Sequence, residues 1–288
     1  MAFERTILVG VDGSLASRDS LVWACQLGRL ANLKVRAVMA WHFPPGLETT
    51  GSVEETSSIV HSQLAEVTAG APCDDLELLT VQGFALSGLI EAASEPDVTM
   101  LVIGKRGLGT VPDLLLGSVA RSVLHASPVP VALVPAQPLT GFPDPGRIVV
   151  GIDGSPMTRD VIAFVGRLAE DMDLSATVVQ CIDIGAEFSP ERLEETTLRT
   201  GDKIRSDWCG PLDESNIDFS IDVHNDDPPA GLIGTIERTG AGTVIIGLHG
   251  AGQVRGIGGT TFHLARHLEV PLVVVPPTSS TTAVEYRL

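Results

Sequence analysis

Residues 7–14 read Ile-Leu-Val-Gly-Val-Asp-Gly-Ser, and residues 148–155 read Ile-Val-Val-Gly-Ile-Asp-Gly-Ser. The two segments match at an offset of 141 residues, about half of the 288-residue chain. That period is far too long for a solenoid and indicates duplication of a whole domain. Each segment is a short apolar run closed by Asp-Gly-Ser, which reads as a buried strand, a turn and a helix start.

Outward from these segments the two halves run in the same order. A helical pattern follows each, Ser14 to Ala31 and Ser155 to Asp171. Ile162, Val165 and Leu168 recur at three-residue spacing beside Val161 and Phe164, as on one buried helix face. Ser14 and Ser155 are the expected N-caps, and Pro156 suits a first helical position. Second strands are expected at Val35–Ala40 and Ala176–Cys181, each followed by a polar, helical stretch, and third strands at Leu76–Val81 and Phe219–Val223. Short helices near Leu86–Ala93 and Ala230–Thr239 lead to fourth strands, Met100–Ile103 and Val244–Ile246, each ending at a glycine. A Gly-rich loop and a helix then lead to fifth strands at Val131–Val134 and Leu272–Val275, both closed by a proline.

Strands alternating with helices predict an α/β fold, a parallel sheet with helices on both faces. The composition agrees: 44% hydrophobic residues but only 4% aromatic, so the cores rest on Val, Ile, Leu and Ala. Gln137–Gly146, with three prolines and two glycines, is read as a linker between domains at 1–140 and 147–288. The polar end, Thr278 to Leu288, is expected to fray.

Charge and cysteines bound the function. The net charge of −17 disfavours nucleic acid and anionic membranes as partners, without opposing a local phosphate site built from backbone dipoles. There is no run of about 20 apolar residues for a membrane span, and Met1–Thr6 lacks the regions of a signal peptide. Cys25, Cys73, Cys181 and Cys209 are far apart in sequence and form no Cys-x-x-Cys pair, which argues against zinc or a redox dithiol. A reduced, cytoplasmic setting is the default expectation.

After the fourth strand the first half reads Gly104-Lys-Arg-Gly107, nine residues, then Gly117-Ser118-Val119. Glycines there let backbone N–H groups approach an anion, and the following helix aims its positive end at the same place. Ser118 is read as a helix cap or as a hydroxyl donor to phosphate. Lys105 and Arg106 either add positive charge or point into water. Asp12 and Asp153, at the ends of the first strands, either accept hydrogen bonds from a ribose or base, or cap the turn before the helix.

The Gly-x2-Gly-x9-Gly-Ser-Val pattern, together with Val-Gly-Val-Asp-Gly-Ser near the start, resembles the universal stress protein family, twice in tandem. The resemblance implies a Rossmann-like, adenine-nucleotide α-hydrolase-like domain whose five-stranded parallel sheet has the order 3-2-1-4-5. It also implies that many members bind ATP while others do not, and the first repeat matches the ATP-binding version without a gap. Mg²⁺ is expected to accompany the ATP, although no residue is identified as a metal ligand. By that resemblance Gly10 and Asp12 lie at the end of the first strand, with Asp12 near adenine and ribose, and Ala40 contacts the base. Ile103, Gly104, Arg106 and Gly107 wrap ribose and phosphates, and Gly117, Ser118 and Val119 hold the phosphates.

The second repeat departs from the pattern: Gly247-Leu-His249-Gly250, eight residues, then Gly259-Thr260-Thr261. With Asp153, these are its candidate ligand residues. His249 is either a ligand contact or turn filler. His263 and His267, four apart, lack a convincing third ligand for a metal.

No P-loop run, dinucleotide fingerprint or nucleophile elbow is present. With no clear general base beside the loop, the expectation is a nucleotide-dependent regulatory protein and not an enzyme. The alternatives are slow ATP hydrolysis, or a nucleotide-free, chaperone-like protein with vestigial loops. The expected partners are an adenine nucleotide and an unidentified regulatory protein. Pairing of Val131–Val134 with Leu272–Val275 would give an internal pseudo-dimer, and a homodimer is a further assembly.

Overall fold

Ile7, Leu8 and Val9 have no exposed surface, so β1 (Thr6–Gly10) lies at the centre of a sheet covered on both faces. The structure is a computed structural model, and it describes residues 5–42, 53–108, 115–136, 143–170, 172–182, 189–215, 217–250 and 256–278. Most of the expected linker (137–142) and the tail beyond Thr278 lie outside the described residues, as does Gly252. The chain divides into two compact units, Met1–Gly141 and Phe142–Leu288.

In the first unit β1 is followed by α1 (Leu15–Leu30), β2 (Lys34–Trp41), α2 (Val53–Thr68), β3 (Leu76–Gln82) and α3 (Ala85–Ala93). Then come β4 (Val98–Gly104), α4 (Ser118–Ala126) and β5 (Val131–Val134). The strands lie in the order β3-β2-β1-β4-β5, and every neighbouring pair is parallel. Helices α1 and α2 cover one face and α3 and α4 the other.

The second unit repeats the plan with β6 (Arg147–Ile152), α5 (Pro156–Ala169), β7 (Ser175–Cys181), α6 (Pro190–Trp208) and a short α7 (Gly210–Glu214). It continues with β8 (Asp218–His224), α8 (Pro228–Thr239), β9 (Thr243–Gly247), α9 (Gly259–His267) and β10 (Leu272–Val275). Its order is β8-β7-β6-β9-β10, again parallel throughout. Both units are thus Rossmann-like α/β domains with the expected 3-2-1-4-5 order.

The turn after each first strand shows why Asp-Gly-Ser recurs. Gly13 and Gly154 have φ of +84° and +74°, a region that side chains resist. Asp12 accepts a hydrogen bond from the Ser14 amide at 2.9 Å, and Asp153 does the same for Ser155 at 2.9 Å. The two serines then differ. The Ser14 hydroxyl caps α1 by accepting from the Ser17 amide at 3.2 Å. Ser155 holds the N-cap position, but its buried hydroxyl makes no hydrogen bond, because the Thr158 amide binds the Ser155 carbonyl at 2.9 Å instead.

The default of reduced thiols needs correction for one pair. Cys25, on the buried face of α1, is disulfide-bonded to Cys73 in the connection between α2 and β3. The two are 48 residues apart in sequence, but their Cα atoms lie 5.0 Å apart. The connection folds back over α1, and Arg29 fastens it further through the Pro72 carbonyl and Asp74. Cys181 and Cys209 are free thiols. No helix among the described residues is long and apolar enough to cross a membrane.

Closing a loop of this length should stabilise the first unit by about 4 kcal/mol in the chain-entropy picture. Urea unfolding with and without a dithiol reductant, and of Cys73→Ser, measures it. The midpoint should fall on reduction, and Cys73→Ser should lose its sensitivity to the reductant. Equal midpoints for oxidised and reduced wild type would show that the pair contributes nothing.

Candidate functional site

The strand order reverses between β1 and β4 in the first unit and between β6 and β9 in the second. The connections leave these strands in opposite directions, opening a crevice at their carboxyl ends. A cavity lies at each crevice, of about 250 Å³ in the first unit and about 320 Å³ in the second.

The first cavity gathers all the first-repeat residues singled out by sequence. Gly10 and Asp12 come from the end of β1, Ala40 from β2, Ile103 and Gly104 from β4, and Arg106 and Gly107 from the loop beyond. Gly117, Ser118 and Val119 come from the start of α4. The lining also includes Val38, Leu89 and Lys105, and Lys105 is buried, with 6% of its surface exposed.

Asp12 does two things at once. One carboxylate oxygen holds the Ser14 amide, and the other accepts from the Leu108 amide at 2.9 Å, across 96 residues of sequence. The β1 turn is thereby tied to the loop after β4. This contact requires the glycine beside it, since a Cβ on Gly107 would collide with the Asp12 carboxylate. Burial alone would raise the Asp12 pKa, but the hydrogen bonds from Ser14, Leu108 and Ser17 outweigh it and hold the carboxyl below its ordinary range. The turn-capping reading of Asp12 therefore describes its contacts here.

Gly117 is the N-cap of α4, and Ser118 is its first helical residue, so the capping role expected for Ser118 falls to the glycine. The Gly117 amide donates to the Lys105 carbonyl at 2.8 Å, which folds the loop shut over the strand end. The groups facing an anion are then the amides of Ser118, Val119 and Ala120. They open the helix with no carbonyl one turn back to receive them, at its positive end.

The second cavity likewise gathers Asp153, Gly247, His249, Gly250, Gly259, Thr260 and Thr261. A Cβ on Gly250 would meet the Asp153 carboxylate, so the carboxylate-on-glycine contact is repeated. The alignment at the helix is corrected, however. Gly258, not Gly259, is the N-cap of α9, and its amide donates to the Leu248 carbonyl at 2.9 Å, as Gly117 does to Lys105. Gly258 thus stands in the place of Gly117, and Gly259 in the place of Ser118. The connection from Gly250 to Gly258 is two residues shorter than that from Gly107 to Gly117. Thr261 sits on the third helical residue, and its hydroxyl donates to the Gly247 carbonyl at 2.9 Å.

Cys181, not singled out by sequence, also lines this cavity. It occupies the place of Ala40, because β7 pairs with β6 as β2 pairs with β1. Burial pushes its thiol up to about 11, with added repulsion from Asp226, Asp227 and Asp222. Outside both cavities, His263 and His267 stack with ring centres 4.6 Å apart.

Comparison with known proteins gives one answer along the chain. The model of the Universal stress protein family matches residues 4–135 and again 145–276. A universal stress protein of Mycolicibacterium smegmatis is 27% identical, with 96% of this chain and 98% of the relative covered. The crystal structure of a universal stress protein from Archaeoglobus fulgidus superposes with a TM-score of 0.66 over 95% of this chain and 98% of its own, at 18% identity. A universal stress protein crystallised in complex with cAMP is 29% identical, over 46% of this chain and 98% of its own, with a TM-score of 0.35.

The Asp12 tie sets a pH dependence. Its lowered pKa means that its stabilisation is complete above the ordinary carboxylate range and is lost as pH falls through the lowered value. Asp12→Ala should therefore unfold more easily than wild type at neutral pH, by about 1 kcal/mol for a solvent-screened carboxylate. The gap should close in acid. Paired urea titrations across pH measure it, and a gap that widens in acid would contradict the assignment.

Proposed function

The chain belongs to the universal stress protein family, and from that premise we propose that its first repeat binds ATP and acts as a nucleotide-dependent regulatory module. The observation that carries this reading is the convergence on one cavity of the α4 N-terminus, the Lys105–Gly107 loop and an apolar slot. The slot, lined by Val38, Ala40 and Leu89, suits a planar base. The open helix amides suit phosphate oxygens, and Lys105 and Arg106 supply charge beside them. A Mg²⁺ travelling with the nucleotide would rest on phosphate oxygens and water, which suits its preference for keeping several waters. Asp12, the one carboxylate among the described lining residues, already serves two amides.

Binding is favoured over turnover for the same reason. Hydrolysis needs a positioned water and a group to orient it. Asp12 is engaged by the Ser14 and Leu108 amides and is poorly suited to that task. Readout by a partner has a surface to use. Leu108 and Val119 line the cavity and are 70% and 39% exposed, an apolar rim beside the phosphate end. Occupancy would change the surface beside this rim, and a regulatory protein would sense it.

Mass spectrometry of nucleotide released on denaturation, with calorimetric ATP titration of wild type and Gly117→Asp, tests the reading. A carboxylate at residue 117 would stand by the Lys105 carbonyl, 3.3 Å from the new Cβ, and face the phosphates. Wild type should gain about 2.7 kcal/mol of stability at one hundred times Kd. Gly117→Asp should gain nothing at the first cavity while its unliganded unfolding midpoint stays near that of wild type. No released nucleotide, and no heat with ATP, ADP or AMP, would sink the proposal and point to function in protein contacts alone.

A further inference from the structure

The two cavities share most of the base end, where Cys181 takes the place of Ala40, and differ at the phosphate end. At the base end Gly10, Val38, Leu89 and Ile103 of the first correspond to Gly151, Val179, Leu232 and Ile246 of the second, and Asp12 corresponds to Asp153. At the phosphate end the correspondence fails. Lys105 and Arg106 are replaced by Leu248 and His249, and Ser118 by Gly259. The described lining of the second cavity contains neither Lys nor Arg. Two hydroxyls are added at the helix start: that of Thr261 is turned onto the Gly247 carbonyl, and Thr260 stands in the place of Val119.

Charge near the base end changes in the same direction. Gly83 and Phe84, which lead into α3, give way to Asp226 and Asp227, which lead into α8. These carboxylates and Asp222 are near enough to the cavity to raise the Cys181 thiol. A phosphate chain entering here gains helix amides but meets no described Lys or Arg and a more negative field. An uncharged sugar and base lose nothing by these changes, and the cavity, at about 320 Å³, is no smaller than the first.

We propose that the second cavity takes an uncharged nucleoside and discriminates against the phosphate chain that the first accepts. This rests on the reading of the first cavity as an adenine-nucleotide site. The chain then holds one phosphate-dependent and one phosphate-independent site.

Cys181 reports on the second cavity directly. Cys25 and Cys73 are bonded to each other, and Cys209 is fully buried, so alkylation of the native full-length chain by iodoacetamide at alkaline pH is followed at Cys181 by peptide mass spectrometry. Adenosine at roughly ten times its Kd should slow the reaction about tenfold by mass action. ATP at the same concentration should slow it less than about twofold, while calorimetry on the same sample shows ATP bound at the first cavity and lost in Gly117→Asp.

Equal protection by ATP and adenosine would overturn the proposal. So would protection by ATP that disappears in Arg255→Ala, a change in the sequence between Gly250 and Gly258 outside the described residues, since that cation would then serve the phosphates. Failure of adenosine to protect Cys181, with ATP still bound at the first cavity, would overturn it and leave the first-site reading standing. Absence of ATP binding alongside adenosine protection would instead strike the first-site reading. A triple variant, Leu248→Lys with His249→Arg and Gly259→Ser, should restore ATP protection of Cys181 without loss of adenosine protection.

Discussion

The site in each unit depends on one contact, a carboxylate seated on a glycine. Asp12 reaches from the end of the first strand to the loop after the fourth, and Gly107 leaves the space for it to do so. Without that tie the two loops at the topological switch point would be independent, and the crevice between them would have no fixed width. The same arrangement of Asp153 on Gly250 shows that this frame was retained through the duplication. What changed is the chemistry hung on the frame.

The parallel sheet supplies the direction. Every strand in a unit points the same way, so all the loops that follow the strands meet at one edge. Residues far apart in sequence, such as Gly10, Ala40, Gly104 and Gly117, arrive together for that reason alone. Burial of β1 and β4 on both faces holds the strands together, and the helix after the fourth strand presents its amides to the crevice. The fold thus makes an anion-receptive corner before any side chain is chosen, and side chains only select what enters it.

Much of this was legible in the sequence, because a repeat displays its own alignment. The fifth strands, Val131–Val134 and Leu272–Val275, stand where their apolar runs end at prolines. What the sequence obscured was the start of α9. Matching hydroxyl residues draws Ser118 toward Thr260, but the 141-residue offset of the first and fifth strands, applied to Gly117, lands on Gly258. Backbone geometry at a helix start outranks side-chain likeness. Ser155 holds the N-cap position as expected but without a side-chain hydrogen bond, and the competing Thr158–Ser155 backbone bond leaves no sequence signature. The Cys25–Cys73 pairing was hidden because spacing along the chain says nothing of which connection folds back over α1.

That pairing has a topological consequence. The bond turns residues 25–73 into a covalent ring that contains β2 and α2. A protease that nicks the backbone anywhere between Cys25 and Cys73 therefore releases no fragment. The nicked chain keeps its mass on a non-reducing gel and separates into two pieces only after reduction. Within this stretch of the first unit, integrity of the molecule and integrity of the main chain are different properties.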